Sequence, residues 1–262
     1  MSIYKGPVIV IVGPTASGKT GAAISLAKKV GGEVISADSR AIYKYMDIGT
    51  AKPSLEEQDG IPHFGIDLVE PGERFTVADF KEYAEAKIKE IRERGHVPIV
   101  AGGTGLYVDA LVFDYKFDGV SKDEKHGTPE GNESAGEYKD RAQMSEEYKV
   151  FGISWEPDEL RDRISRRMRG MYSEGLFDET KFLVSKYGWD SQAMKSNVYQ
   201  FVWQYLEGKI DEERAKELFV YDDWHLAKRQ LTWFKRTKEI IWLPLEKICS
   251  FVIEYIQNEQ RK

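Results

Sequence analysis

Two kinds of hydrophobic pattern run along this chain. The first is the short unbroken apolar run that stops at glycine or at a polar residue. "PVIVIVG" (7–13), "VPIVAGG" (97–103) and "YKVFGISW" (148–155) are of this kind, and "EVISAD" (33–38), "HFGIDL" (63–68) and "EIIWLPL" (239–245) are weaker examples. Such runs are too short for helices and predict strands buried on both faces. The second kind recurs at helical spacing. Residues 18–30 present Ala22, Ala23, Leu26 and Ala27 on one side, and residues 75–95 present Phe80, Ala84, Ile88 and Ile91. Thr76 and Asp79 stand in the positions of a capping box, and Gly95 closes that helix. "TGLYVDALVF" (104–113) starts another helix, the chain after Pro157 reads as mostly helical to about Lys238, and the tail is a short amphipathic helix. Strands alternating with helices predict a parallel sheet covered on both faces.

The alternation breaks at Asp118. Residues 118–147 hold nine acidic and four basic residues, four glycines and almost nothing apolar, which predicts a solvated linker. It divides the chain into a first part of the core (1–117), the linker (118–147), and the rest of the core with a helical part (148–262). With 41% hydrophobic residues over 262 positions, a globular fold is expected. A formal charge of −6 argues against a bulk electrostatic attraction for nucleic acid and leaves room for a local basic face. Cys249 is the single cysteine, so neither a disulfide framework nor a cysteine metal cage can form, and it reads as a small buried hydrophobe. His63, His96, His126 and His225 fit no zinc spacing. No apolar run reaches the roughly 18 residues of a membrane span, and "MSIYKGP" is not a signal peptide. A reduced, cytoplasmic, soluble protein is expected.

The chemistry concentrates at the ends of the apolar runs. Gly13, Gly18, Lys19 and Thr20 fit G-x-x-x-x-G-K-[ST] between a strand and a helix, where backbone N–H groups and a helix N-terminus face an anion. Lys19 adds a point charge and the Thr20 hydroxyl can ligate magnesium. Asp38 ends the second strand and Thr104 follows the fourth in "AGGTG", so both belong at the ligand edge of a parallel sheet. Two basic stretches come later. In "RDRISRRMRGM", five arginines (161, 163, 166, 167 and 169) surround an apolar stripe of Leu160, Ile164, Met168 and Met171. In "WHLAKRQLTWFKRTK", Lys228, Arg229 and Lys235 mix with Trp224, Trp233 and Phe234, a composition suited to phosphate contacts and base stacking. No guanine-reading N-K-x-D is present. A small-molecule kinase with an arginine lid stays open on these residues alone.

"GPTASGKT", "ISADSRAIYKYMDIGTAKP", "AGGTGLY" and "AKRQLTWFKR" together resemble the tRNA dimethylallyltransferases, densely over 7–113 and more loosely over 150–243. The resemblance implies an α/β fold: a P-loop NTPase-like parallel sheet flanked by helices, with a reduced helical tRNA-binding part. It implies transfer of a dimethylallyl group from dimethylallyl diphosphate to the adenine 3′ to the anticodon, on the anticodon stem-loop of tRNA, by a monomer using Mg2+. Gly13, Thr15, Ala16, Ser17, Gly18, Lys19 and Thr20 are then the diphosphate loop, with Thr20 on the metal, and Lys195 stands where the family places a diphosphate-binding arginine. Asp38 is the general base, and Thr104 and Lys19 hold the oxyanions. Asp38, Ser39, Arg40, Ala41 and Thr104 lie beside the target adenine, and Lys228, Arg229, Gln230, Trp233 and Lys235 touch the tRNA. The chain departs from the family pattern at 118–147, where a helical insertion is expected, and at Val198-Tyr199-Gln200, where a glycine–tyrosine–basic triplet is expected. A prenyltransferase acting on free adenine nucleotides and a non-catalytic RNA-binding relic are the remaining alternatives.

Overall fold

The structure is a computed structural model that describes residues 3–117, 143–191, 193–194 and 197–259. Among these residues six strands form one sheet: β1 (Val8–Val12), β2 (Gly32–Ser36), β3 (His63–Phe64), β4 (Val97–Gly102), β5 (Tyr148–Ser154) and β6 (Ile241–Pro244). Their order is β3-β2-β4-β1-β5-β6 and every pairing is parallel. The helices are α1 (Lys19–Val30), α2 (Leu55–Gln58), α3 (Val77–Glu93), α4 (Gly105–Val112), α5 (Pro157–Glu174), α6 (Leu176–Tyr187), α7 (Asn197–Leu206), α8 (Glu212–Phe234) and α9 (Leu245–Glu259).

β1 explains why its sequence is apolar at every position. It lies between β4 and β5, and its side chains alternate between two cores. Val8, Val10 and Val12 face α3 and α4, whereas Ile9 and Ile11 face α1 and α9. Period-two alternation sends successive residues to opposite faces, so a strand covered on both sides needs apolar residues throughout. The expected box at the start of α3 is present: Thr76 Oγ1 accepts from Asp79 N–H at 3.2 Å, and the Asp79 carboxylate accepts from Thr76 N–H at 2.8 Å. The expected strand at 63–68 is shorter than its apolar run, because Gly65 turns left-handed at φ 77° after only two paired residues.

A separate apolar cluster joins α5, α6 and α7 to residues 42–46 of the core. The "MDIGTAKP" segment is the joint. The Glu179 carboxylate of α6 accepts the backbone N–H groups of Asp47, Ile48 and Gly49 at 2.9, 2.7 and 2.8 Å, and the Tyr199 hydroxyl donates to it at 2.7 Å. Gly49 is required here, since a Cβ would stand 2.5 Å from the Tyr199 ring. Lys52, its side chain only 4% exposed, ties the same segment down through Tyr43 O, Asp47 and Asp67.

Of the expected linker, 118–142 lies outside the described residues. Residues 143–147 run back into the core: Met144 packs on it, Ser145 N–H donates to Val112 O at 2.8 Å, and Glu147 O accepts from Val8 N–H at 2.8 Å.

At the opposite end of the sheet from the strands' carboxyl termini, the Glu33 side chain is 3% exposed and meets Arg94 in two bonds of 2.9 and 2.6 Å and His96 in one. Burial pushes its carboxyl up, but these partners outweigh burial and hold it below its usual 4.5. The charged form therefore stabilises the fold above that value, and the contribution disappears as pH falls through the depressed pKa. Glu33→Gln is expected to lower unfolding free energy by about 1–3 kcal/mol at neutral pH. In chemical denaturation at a series of pH values, the gap between wild type and variant should close only below pH 4.5.

Candidate active site

The parallel sheet delivers the loops after β1, β2 and β4 to one edge, and the expected site residues meet there. The phosphate loop runs from Gly13 into α1. Gly18 adopts φ 88°, a conformation that suits glycine, and a Cβ on it would press on Leu245 and on Arg163. Several carbonyls of this loop are occupied by side-chain donors. Lys19 Nζ donates to Pro14 O at 2.6 Å, Arg163 Nε to Ala16 O at 2.7 Å, and Trp155 Nε1 to Ser17 O at 3.0 Å. Arg163 also stacks over the Trp155 ring at 4.4 Å. These donors fix three carbonyls of the loop, while the same turn ends at the N-terminus of α1, the end of a helix that favours an anion.

Electrostatics tie the pieces together. Burial pulls Lys19 down to about 8, the charge of Asp38 opposes that shift, and Arg167 adds to it. Lys19, Asp38 and Arg167 thus share one field at the sheet edge. Asp38 Oδ1 accepts Arg40 N–H at 2.9 Å, an Asx turn that fixes the carboxylate. Thr104 Oγ1 accepts Ser39 N–H at 2.9 Å and donates to Ser39 Oγ at 3.2 Å, which pins the end of β2 to the end of β4. Ala41 is buried next to them, and Arg40 is half-buried. Thr20 lies exposed in the first turn of α1. Lys195 lies outside the described residues.

The later basic stretch divides in two. Lys228, Arg229 and Lys235 are exposed on α8 and at its end. Gln230 and Trp233 turn inward. Gln230 Oε1 accepts Thr15 N–H at 2.7 Å and its Nε2 donates to Gly103 O at 3.0 Å, so one amide bridges the phosphate loop and the "AGGTG" turn. Trp233 Nε1 donates to Asp109 at 3.0 Å, with its ring against Gly105. The arginine stretch divides likewise: Arg163 and Arg167 reach the loop, whereas Arg161 stacks over Trp224 at 4.8 Å on the outer side of α5 and α8.

Two residues of this region escaped the reading of the sequence. Asp223 is buried and accepts from Thr15 Oγ1 at 3.5 Å. Its signal was available, since Phe219, Asp223, Ala227, Gln230 and Phe234 recur at helical spacing and form the inner face of α8, a stripe in which an aspartate is out of place. Glu179 left no such signal, because its partners are backbone N–H groups some 130 residues earlier.

Residues 41–142 and 124–237 match the IPP transferase family. The chain is 39% identical to the tRNA dimethylallyltransferase of Alkaliphilus oremlandii, over 94% of each chain. It is 37% identical to that of Staphylococcus haemolyticus, over 93% of this chain and 88% of that one. Among solved structures, the tRNA isopentenylpyrophosphate transferase of Bacillus halodurans superimposes with a TM-score of 0.83 at 32% identity, covering 98% of this chain and 99% of that one.

If Gln230 is the bridge that shapes the phosphate loop, Gln230→Leu removes two hydrogen bonds and the expected loss is about tenfold in affinity for inorganic diphosphate. Isothermal calorimetry on the folded variant measures it directly; an unchanged dissociation constant contradicts the bridging role.

Proposed function

The chain belongs to the IPP transferase family, and on that premise we propose that it transfers a dimethylallyl group from dimethylallyl diphosphate to the exocyclic amine of the adenine 3′ to the anticodon in tRNA. The carrying observation is the meeting of a phosphate loop and a fixed carboxylate at one sheet edge, close enough that the charge of Asp38 opposes the effect of burial on Lys19. A nucleoside kinase needs the same loop, but the 39% identity over nearly the whole chain to a tRNA dimethylallyltransferase favours the prenyl donor. The chain works on this reading as a cytoplasmic monomer.

In the reaction the donor's C1–O bond breaks as a bond forms between C1 and the adenine amine nitrogen. The amine loses one proton and diphosphate leaves with the bonding pair. An aryl amine is a weak nucleophile, so Asp38, held by Arg40 N–H, takes the proton. Charge grows on the leaving diphosphate, and Lys19 and the loop N–H groups stabilise it without reorganising. Thr104, bonded to Ser39, offers its hydroxyl to the same oxygens on this reading. Ser39, Arg40 and Ala41 form the wall beside the base, which comes from a loop and is extruded at less cost than a paired one.

Thr20 and the substrate's own oxygens suit Mg2+, which keeps several waters and leans on phosphates; among the described residues no group of three or more His, Cys, Asp or Glu could hold a metal by itself. Bound there, the ion would neutralise charge on the departing diphosphate. Lys228, Arg229 and Lys235, with the Arg161–Trp224 stack alongside, supply the cationic and aromatic face for the RNA.

Asp38→Asn is expected to cut single-turnover prenyl transfer by about 10²–10⁴-fold while leaving donor affinity within a few-fold of wild type. A rate close to wild type would remove Asp38 from catalysis. Replacing Lys228 and Arg229 together by alanine should weaken tRNA binding and lower the slope of log affinity against log salt by about 1.5, two contacts at roughly 0.7–0.9 each. Filter binding from low to moderate salt reads both effects, and an unaltered slope means these side chains do not meet phosphate.

A further inference from the structure

The phosphate loop carries a second carboxylate that the reaction above does not use. Asp223 reaches it from the inner face of α8 and is only 7% exposed. It meets the loop at Thr15 Oγ1, and the same oxygen accepts from Arg167 Nη1. Arg167 is extended across the site: Nη2 donates to Thr50 O at 3.5 Å, while its Nε is buried without a partner, as is the Ser17 hydroxyl in the loop itself. Burial pushes the Asp223 carboxyl up; Arg167 and Thr15 pull it back, and Asp222 and Asp38 add to the rise. The site thus sets two cations, Lys19 and Arg167, against two carboxylates, Asp38 and Asp223.

Only one of those carboxylates has work in the chemistry. A fixed anion beside an anion-binding loop opposes whatever negative ligand enters, and it does so most strongly where water is scarce. The diphosphate product carries more charge than the esterified donor, so the opposition falls harder on the product. We propose that Asp223 is an internal counter-anion to Arg167 that holds down the affinity of the phosphate loop for diphosphate and so speeds product release. This inference rests on the reading of the loop as a diphosphate site. Release of product limits turnover in many enzymes, and a buried charge that cannot leave with the product is a direct means of setting that step.

The test is calorimetric titration of the full chain with inorganic diphosphate, comparing wild type with Asp223→Asn and Asp223→Ser, both checked for folding by thermal melts. Both neutral variants should bind inorganic diphosphate about tenfold more tightly, and steady-state turnover should show stronger inhibition by added diphosphate with single-turnover transfer no slower. Two variants of different size guard against one of them failing to fold. If wild type binds diphosphate and the folded variants bind it equally or more weakly, Asp223 supports the loop structurally and this proposal is overturned. If wild type does not bind diphosphate at all, the parent reading of the loop fails and this one goes with it.

Discussion

Parallel pairing of β1 with both β4 and β5 is the constraint on which the rest depends. Parallel strands cannot be joined by tight turns, so each connection must cross the sheet and return, and every carboxyl end emerges on the same side. The phosphate loop, Asp38 and Thr104 are far apart in sequence, yet they meet because the sheet sorts chain ends by direction. The cost is that loops from separate crossovers must be tied together at that edge. Thr104 does this between β2 and β4, and Gln230 does it between β1 and β4 from outside the sheet.

Those ties separate what the sequence made legible from what it hid. The strands could be read because burial on both faces leaves few polar positions in the central ones, and all six apolar runs became strands. The boxed start of α3 was legible because its two partners are three residues apart. The phosphate loop, Asp38 and Thr104 were legible from their places at strand ends. Gln230 and Trp233 were read as part of a basic, RNA-facing segment, since their neighbours are Lys228, Arg229 and Lys235. The helix instead splits that segment, with the cations outward and the amide and indole inward. Composition over a window cannot make that division; helical phase can, and Asp223, Ala227 and Phe234 mark the inner phase. Glu179 could not be found in this way, as a carboxylate that caps backbone N–H groups requires no particular side chain on the other partner.

The helical part is bonded to the core through the same kind of contact. Glu179 gathers three N–H groups of the "MDIGTAKP" segment, and the hydroxyl of Tyr199 completes its coordination. That segment begins eight residues after Asp38 in the chain. The segment and the helices that flank it are therefore held by one hydrogen-bonded joint, and the apolar cluster around Met168, Met171 and Leu183 packs on its inner side.

The bond from Thr15 to Gln230 spans 215 residues, and this has a consequence for the order in which the protein is made. The phosphate loop leaves the ribosome well before α8. Until α8 has emerged, the Thr15 N–H and the Gly103 carbonyl lack their shared partner. A nascent or truncated chain can assemble much of its sheet while these two turns are still unbridged. A chain released before α8 is made therefore lacks the single amide that joins the two turns.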